Sequence, residues 1–208
     1  MPEQVNKLLD AAGIARTEEV VSNNIDTVVK AAEKIGYPIV MKVVGPIHKT
    51  DVGGVALDVK DEASLAENFN RMIKIPHTTA ILLQPMLKGK EIFVGSKREK
   101  DFGTMVMAGL GGIFIEALKD VAAELAPVST LKALEMVKSL KGYAIIKGTR
   151  GQEGVNEVIF AETVSKVSQL CKIAPEIAEM DINPLLGNRE SVTAVDARIR
   201  IEKNNYND

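Results

Sequence analysis

Tryptophan is absent from the 208 residues, and Phe, Trp and Tyr together make up only 4% of them. So thin an aromatic complement excludes a base-stacking platform or an aromatic sugar-binding cleft. No apolar run approaches the roughly 20 residues that a membrane-spanning helix needs. The first residues, Met-Pro-Glu-Gln, have neither a basic start nor an apolar signal core. A soluble, cytoplasmic protein without membrane contact is the expectation. Neither sign of charge dominates: 26 Lys and Arg stand against 28 Asp and Glu, a net charge of −2. That balance argues against nucleic acid as a partner. The one cysteine, Cys171, can close no internal disulfide and build no multi-cysteine zinc site. Its neighbours Val164, Val167 and Leu170 recur at helical spacing, so it reads as a buried thiol.

What is present is an ordinary globular composition, 46% apolar and 26% charged, in a chain long enough for one large domain or two small lobes. Helical periodicity marks residues 5–12, 24–36 and 61–72, the last with Asp61 as cap, and returns after Pro127 with Ser129 as cap and over 156–173. Runs rich in β-branched residues mark strands at 38–44, 55–59, 79–84, 91–96 and 104–108. Residues 179–185 and 192–196, separated by a Gly187 turn, read as a hairpin. Helices and strands are interspersed, so the class is α+β, in two lobes of about 1–77 and 78–208.

Lys42 stands inside an otherwise apolar strand. Lysine is rarely buried without a partner, so it either reaches an anion or snorkels to solvent from an edge strand. The loop that follows, 45–54, favours the anion. Gly45, Gly53 and Gly54 let backbone N–H groups approach a phosphate closely, and His48, Lys49 and Thr50 add suitable side chains. The P-loop spacing is missing. His48 is one of two histidines, the other being His77. In a loop of glycines and cations its imidazole suits acid–base work or a phosphoramidate, with an exposed loop residue as the plain alternative.

Asp181 and Asn183 point to one face of their strand by alternation, and the hairpin can bring Asp196 beside them. A few oxygen ligands with open positions suit Mg²⁺ shared with nucleotide phosphates; a solvated hairpin face is the alternative. The stretch from Gln84 to Glu91 is either a β-turn or a hinge that reads an adenine edge, with Glu91 on ribose hydroxyls.

In this order the motifs resemble the ATP-grasp module of ADP-forming acetyl-CoA (acyl-CoA) synthetases, their nucleotide-binding β subunit, over nearly the whole chain. The resemblance rests on the stretches 36–42, 48–55 and 84–86 with Gly89 and Glu91, then on 102–103, 109–116, 148–151, 179–185 and 194–197. The succinyl-CoA synthetase β subunit is a more distant likeness, through the strand lysine and the Asn-Pro-Leu hairpin. The resemblance implies an ATP-grasp fold of two α+β lobes with ATP or ADP between them. Lys42 would contact phosphates and the 45–54 loop, with Lys49, Gly53 and Gly54, would cover them. Gln84, Met86 and Leu87 would line the adenine pocket, and Glu91 would hold the ribose. Asn183 and Asp196 would hold Mg²⁺, with Asp181 near. His48 would pass a phosphoryl group between a phosphohistidine of the partner and ADP.

Two positions depart from the family pattern. Ala123-Glu124 stands where an aromatic–arginine pair is common, and Thr149 where an aromatic is common; partner docking or substrate preference is where these would act. The loop before His48 is also slightly shorter. No G-x-G-x-x-G follows a strand, and no second catalytic histidine is present. The resemblance therefore implies a CoA-binding α subunit or fused domain elsewhere, and a hetero-oligomeric full enzyme. Two other readings are a non-catalytic ATP-grasp regulatory module of a fused acyltransferase, and another ATP-grasp carboxylate ligase; neither has a use for His48.

Overall fold

The structure, a computed structural model, describes residues 2–46, 52–112, 120–149 and 151–202. These form two compact units, Thr17–Leu87 and a second made of the first 16 residues with the chain from Lys88 onward. The division thus falls at 16/17 and 87/88, where a single boundary near 77 was expected. Pairing explains the difference. The strand Ala80–Pro85 is hydrogen-bonded inside the first unit's sheet, while Ala15 accepts from the Ala194 N–H (2.8 Å) and ties the amino-terminal segment to the second unit.

The Thr17–Leu87 unit begins with β1 (Val20–Ser22), α2 (Ile25–Ile35) and β2 (Ile39–Val44), α1 being the amino-terminal helix Pro2–Ala11 of the other unit. It continues with β3 (Val55–Val59), α3 (Glu62–Met72) and β4 (Ala80–Pro85). Its antiparallel sheet has the order β1-β4-β2-β3. Asn24 caps α2 by accepting the Thr27 N–H, and Gly36 ends it with a positive φ of 84°. Asp61 and Ser64 form a capping box on α3, which holds the Asp61 carboxyl below the usual carboxylate range. Val28 and Ala32 of α2 and Leu65, Phe69 and Met72 of α3 are buried with Ile39, Met41 and Val43 of β2 in one core cluster. Alternation then leaves Val40 and Lys42 on the other face of that strand.

The second unit carries β5 (Lys90–Glu99), β6 (Gly103–Leu110), β7 (Val121–Leu125), α4 (Thr130–Ser139), α5 (Tyr143–Lys147) and α6 (Glu157–Ile173). It closes with β8 (Ile177–Gly187), β9 (Val192–Ala194) and β10 (Ala197–Ile201). The antiparallel sheet runs β10-β8-β5-β6-β7, with β9 on β8. Phe160, Val164 and Val167 of α6 share a core cluster with Ile92, Val94 and Val106. Cys171 belongs to it too, 2% exposed; burial pushes its thiol pKa up, so the buried-thiol reading holds. The atypical Glu124 lies on β7 and pairs with Lys132 of α4 at 3.3 Å.

Asp120 is a buried carboxylate that no sequence motif marks. It accepts the N–H groups of Lys141 (3.0 Å) and Gly142 (2.6 Å), pinning the turn between α4 and α5. Asp120→Ala would strand both donors and is expected to cost about 2–4 kcal/mol. A urea midpoint unchanged from wild type would contradict this.

Candidate functional site

β2 is an internal strand: Lys42 lies opposite Leu82 of β4 on one side and Val55 of β3 on the other. The edge-strand explanation for this lysine is therefore excluded. Its residue is 8% exposed, an unusual position for an ammonium group. On β4, Gln84 is 2% exposed and its amide Nε2 donates to the Glu19 carboxylate at 3.1 Å. Glu19 went unnoticed in the sequence because its partner is 65 residues away. Met86 donates its N–H to the Pro38 carbonyl (3.1 Å), and both Met86 and Leu87 are half-buried.

His48 and Lys49 lie outside the described residues, but both ends of their loop are described. Before it, Gly45 has a φ of 127° and any side chain there would collide with the His77 carbonyl, so glycine is required. Thr79 donates both its N–H (2.8 Å) and its hydroxyl (3.1 Å) to the Val44 carbonyl. After the loop, the Gly53 carbonyl accepts from the Arg71 guanidinium (2.8 Å) and the Gly54 carbonyl from the Val43 N–H (2.8 Å). Arg71, on α3, is a second residue the sequence reading missed, again because the contact is distant in sequence.

In the other unit, Glu91 lies on β5, solvent-exposed, and its carbonyl accepts the Gly111 N–H at 2.8 Å. Gly109 and Leu110 are the end of β6, paired with Phe93 and Ile92, and only Gly111 and Gly112 turn away beside the start of β5. The hairpin acids come together, though not by simple alternation. The β5–β8 register slips between Ile92 and Val94, which face Leu185 and Ile182, so β8 holds one extra residue around Asn183-Pro184. Buried positions accordingly run Met180, Ile182, then Leu185 and Gly187. Asn183 donates its N–H to the Asp196 carbonyl (3.0 Å), and Val195 donates to Pro184 (3.0 Å), where the chain passes from β9 to β10. β10 was not foreseen, although its Ala-Arg-Ile-Arg-Ile alternation was readable. It sets Arg198 directly across from Asp181, with Gly95 on the other side.

Loss of water pushes the Asp181 pKa up; Arg198 opposes this, while Asp196 and Glu179 add to it. Asp181 and Asp196 therefore feel each other's charge, which a shared cation would relieve. Among the described residues no group of three or more His, Cys, Asp or Glu could hold a metal. Two carboxylates and an amide fit Mg²⁺ that takes its remaining oxygens from phosphate and water. Because the folded chain holds the Asp181 proton more tightly than the unfolded chain, stability falls as pH rises through the raised folded value. In metal-free buffer, Asp181→Asn is expected to melt slightly above wild type at pH 7 and to lose that advantage below about pH 4. The margin is small because the residue keeps contact with solvent. Thermal scans across pH check it; a lower melting point for the variant at pH 7 would contradict it.

A helix-backed antiparallel sheet with a buried central-strand lysine, and a larger sheet ending in an oxygen-rich hairpin, define an ATP-grasp module. The chain belongs to that family: the profile described as "ATP-grasp domain" matches residues 1–201. It is 39% identical to the β subunit of ADP-forming acetate–CoA ligase I of Pyrococcus furiosus, over 94% of this chain and 89% of that one. It is 40% identical to ADP-forming acetate–CoA ligase II of Archaeoglobus fulgidus over 92% of this chain but only 29% of that protein. Among solved structures, an acetyl-CoA synthetase of Korarchaeum cryptofilum superposes with a TM-score of 0.90 at 32% identity, covering 95% of this chain and 90% of that one; it was captured with coenzyme A and Ca-AMPCP. A second structure of it, with coenzyme A and Mg-AMPPCP, has a TM-score of 0.81 at 33% identity, covering 93% and 88%; its phosphohistidine segment points towards the nucleotide site. Among the described residues no helix is long and apolar enough to cross a membrane.

Proposed function

We propose that this chain is the nucleotide-binding part of an ADP-forming acyl-CoA ligase and moves a phosphoryl group between a partner phosphohistidine and ADP. The observation that carries the nucleotide reading is Lys42, a lysine 8% exposed on an internal strand of an ATP-grasp sheet. A lysine so placed can set its ammonium against a phosphate, and the nucleotide analogues held by the Korarchaeum enzyme support the same ligand.

In this reading Lys42 and Lys49 neutralise phosphate oxygens, and the N–H groups of Gly53 and Gly54 hold them. Gln84, Met86 and Leu87 flank adenine, with the Gln84 amide oriented by Glu19. Glu91 accepts from the ribose hydroxyls. Asn183, Asp196 and Asp181 would hold Mg²⁺, which when bound supplies further neutralisation of phosphate charge. A neutral His48 nitrogen attacks the phosphorus of the partner's phosphohistidine; the P–N bond there breaks as one to His48 forms. A terminal ADP oxygen then attacks the same phosphorus, the His48–P bond breaks, and ATP leaves with His48 free. Little covalent assistance is needed beyond positioning and charge neutralisation.

The chain spans 89% of a separate β subunit and under a third of a single-chain ligase. The CoA-binding and acid-activating parts are therefore assigned to a partner subunit or fused domain carrying the phosphohistidine. The test is exposure to γ-labelled ATP and Mg²⁺: an acid-labile, base-stable label is expected on the chain. Absence of label both alone and with a CoA-binding partner would overturn the phosphoryl-transfer reading.

A further inference from the structure

The larger unit carries a groove of about 620 Å³, within the usual range for ligand clefts, that the nucleotide reading does not use. It lies between the start of β5, the turn from β8 to β9 and the segment leading into α6. This is the end of β8 where Gly187 faces Lys90, about 20 Å along the strand from Asp181.

The groove walls are built, not incidental. A Cβ on Gly89 would come within 2.9 Å of the Gly187 carbonyl oxygen, so the two strands meet backbone to backbone. The turn is held by Asn188, whose side-chain oxygen accepts the N–H groups of Glu190 (2.8 Å) and Ser191 (2.9 Å). Asn156, the cap of α6, donates its N–H to the Asn188 carbonyl (2.8 Å) and its amide to the Arg189 carbonyl (3.1 Å).

Lys88, Lys90 and Arg189 line this frame together with Glu153 and Glu190. Among the described residues none of the five makes an ion pair; Lys90 donates only to the Gln152 amide, at 3.5 Å. Charges of both signs thus share one groove without a salt bridge between them, and the cations outnumber the carboxylates. A small polyphosphate would meet the two glutamates. An extended polypeptide can set its acids against the three cations and turn neutral or basic residues to the glutamates.

We infer that this groove docks an acidic segment of the polypeptide that supplies the CoA-binding part. The inference rests on the proposed two-part enzyme. Its test uses the full ¹⁵N-labelled chain at low salt, an octapeptide of four Glu-Ser repeats, the matching Lys-Ser peptide, and inorganic pyrophosphate. The Glu-Ser peptide is expected to shift the amides of Gly89, Gln152, Gly154 and Asn188, and to bind at least tenfold more weakly to Lys90→Glu/Arg189→Glu. No shift at these amides, equal binding of the Lys-Ser peptide, or tighter binding of pyrophosphate than of the Glu-Ser peptide would each overturn it. Mg·ADP is titrated into the same samples. Its failure to bind wild type would count against the nucleotide reading, whereas retained Mg·ADP binding in the double variant shows that a lost peptide interaction is local.

Discussion

Lys42→Ala is expected to weaken Mg·ADP binding by about tenfold to a hundredfold, the loss of a charge-assisted hydrogen bond worth about 1.5–3 kcal/mol. The direction follows from the position of the residue. A lysine on an internal strand, 8% exposed, is held in place by the sheet, so its ammonium can meet a phosphate with little further loss of side-chain freedom. Truncating it also leaves unfilled space beside Leu82 and Val55, which would destabilise the sheet independently of any ligand. Lys42→Met separates the two effects, since it keeps the apolar stem and removes the charge. Calorimetric titration of both variants should give similarly weak nucleotide binding, with Lys42→Met the more stable protein. Wild-type affinity in Lys42→Met would remove the lysine from the phosphate site.

His48→Asn is expected to leave Mg·ADP affinity within about twofold of wild type and to abolish the acid-labile label, a loss of at least a thousandfold in phosphoryl transfer. Asparagine keeps a polar side chain of similar reach but no nucleophilic ring nitrogen, so a covalent intermediate cannot form. The described ends of the loop are anchored through Val44, Gly45, Gly53 and Gly54, and the substitution is expected to leave these contacts in place. Label surviving in His48→Asn would place the phosphoryl group on another residue. A regulatory module or an acyl-phosphate ligase would show nucleotide binding with no histidine label in either protein, and so would be told apart by the same experiment.

Much of the architecture was legible because it is local. The periodicity of Val28, Ala32, Leu65 and Phe69, the caps at Asp61 and Ser129, and the β-branched runs of β2 and β4 follow from neighbours a few residues apart. The candidate ligands Asp181, Asn183 and Asp196 were readable for a related reason, since a hairpin joins segments close in sequence. Alternation along β8 does not by itself set which of its side chains face the core. The extra residue at Asn183-Pro184 changes which side chains face the core beyond it, and a bulge shows itself only in the pairing with β5.

The unit boundaries, the internal position of β2, and the roles of Glu19, Arg71, Asp120 and Arg198 were hidden in the linear chain. Each depends on a partner well separated in sequence, as with Gln84 and Glu19 or Gly53 and Arg71. Residue types and spacing were enough to specify most element types, the apolar faces and a set of candidate phosphate and metal ligands, because propensity and periodicity act over a turn or a strand. Strand order lay beyond them. Many pairings satisfy the same alternation, and choosing β1-β4-β2-β3, with Lys42 enclosed on an inner strand, requires the whole sheet to bury its core at once.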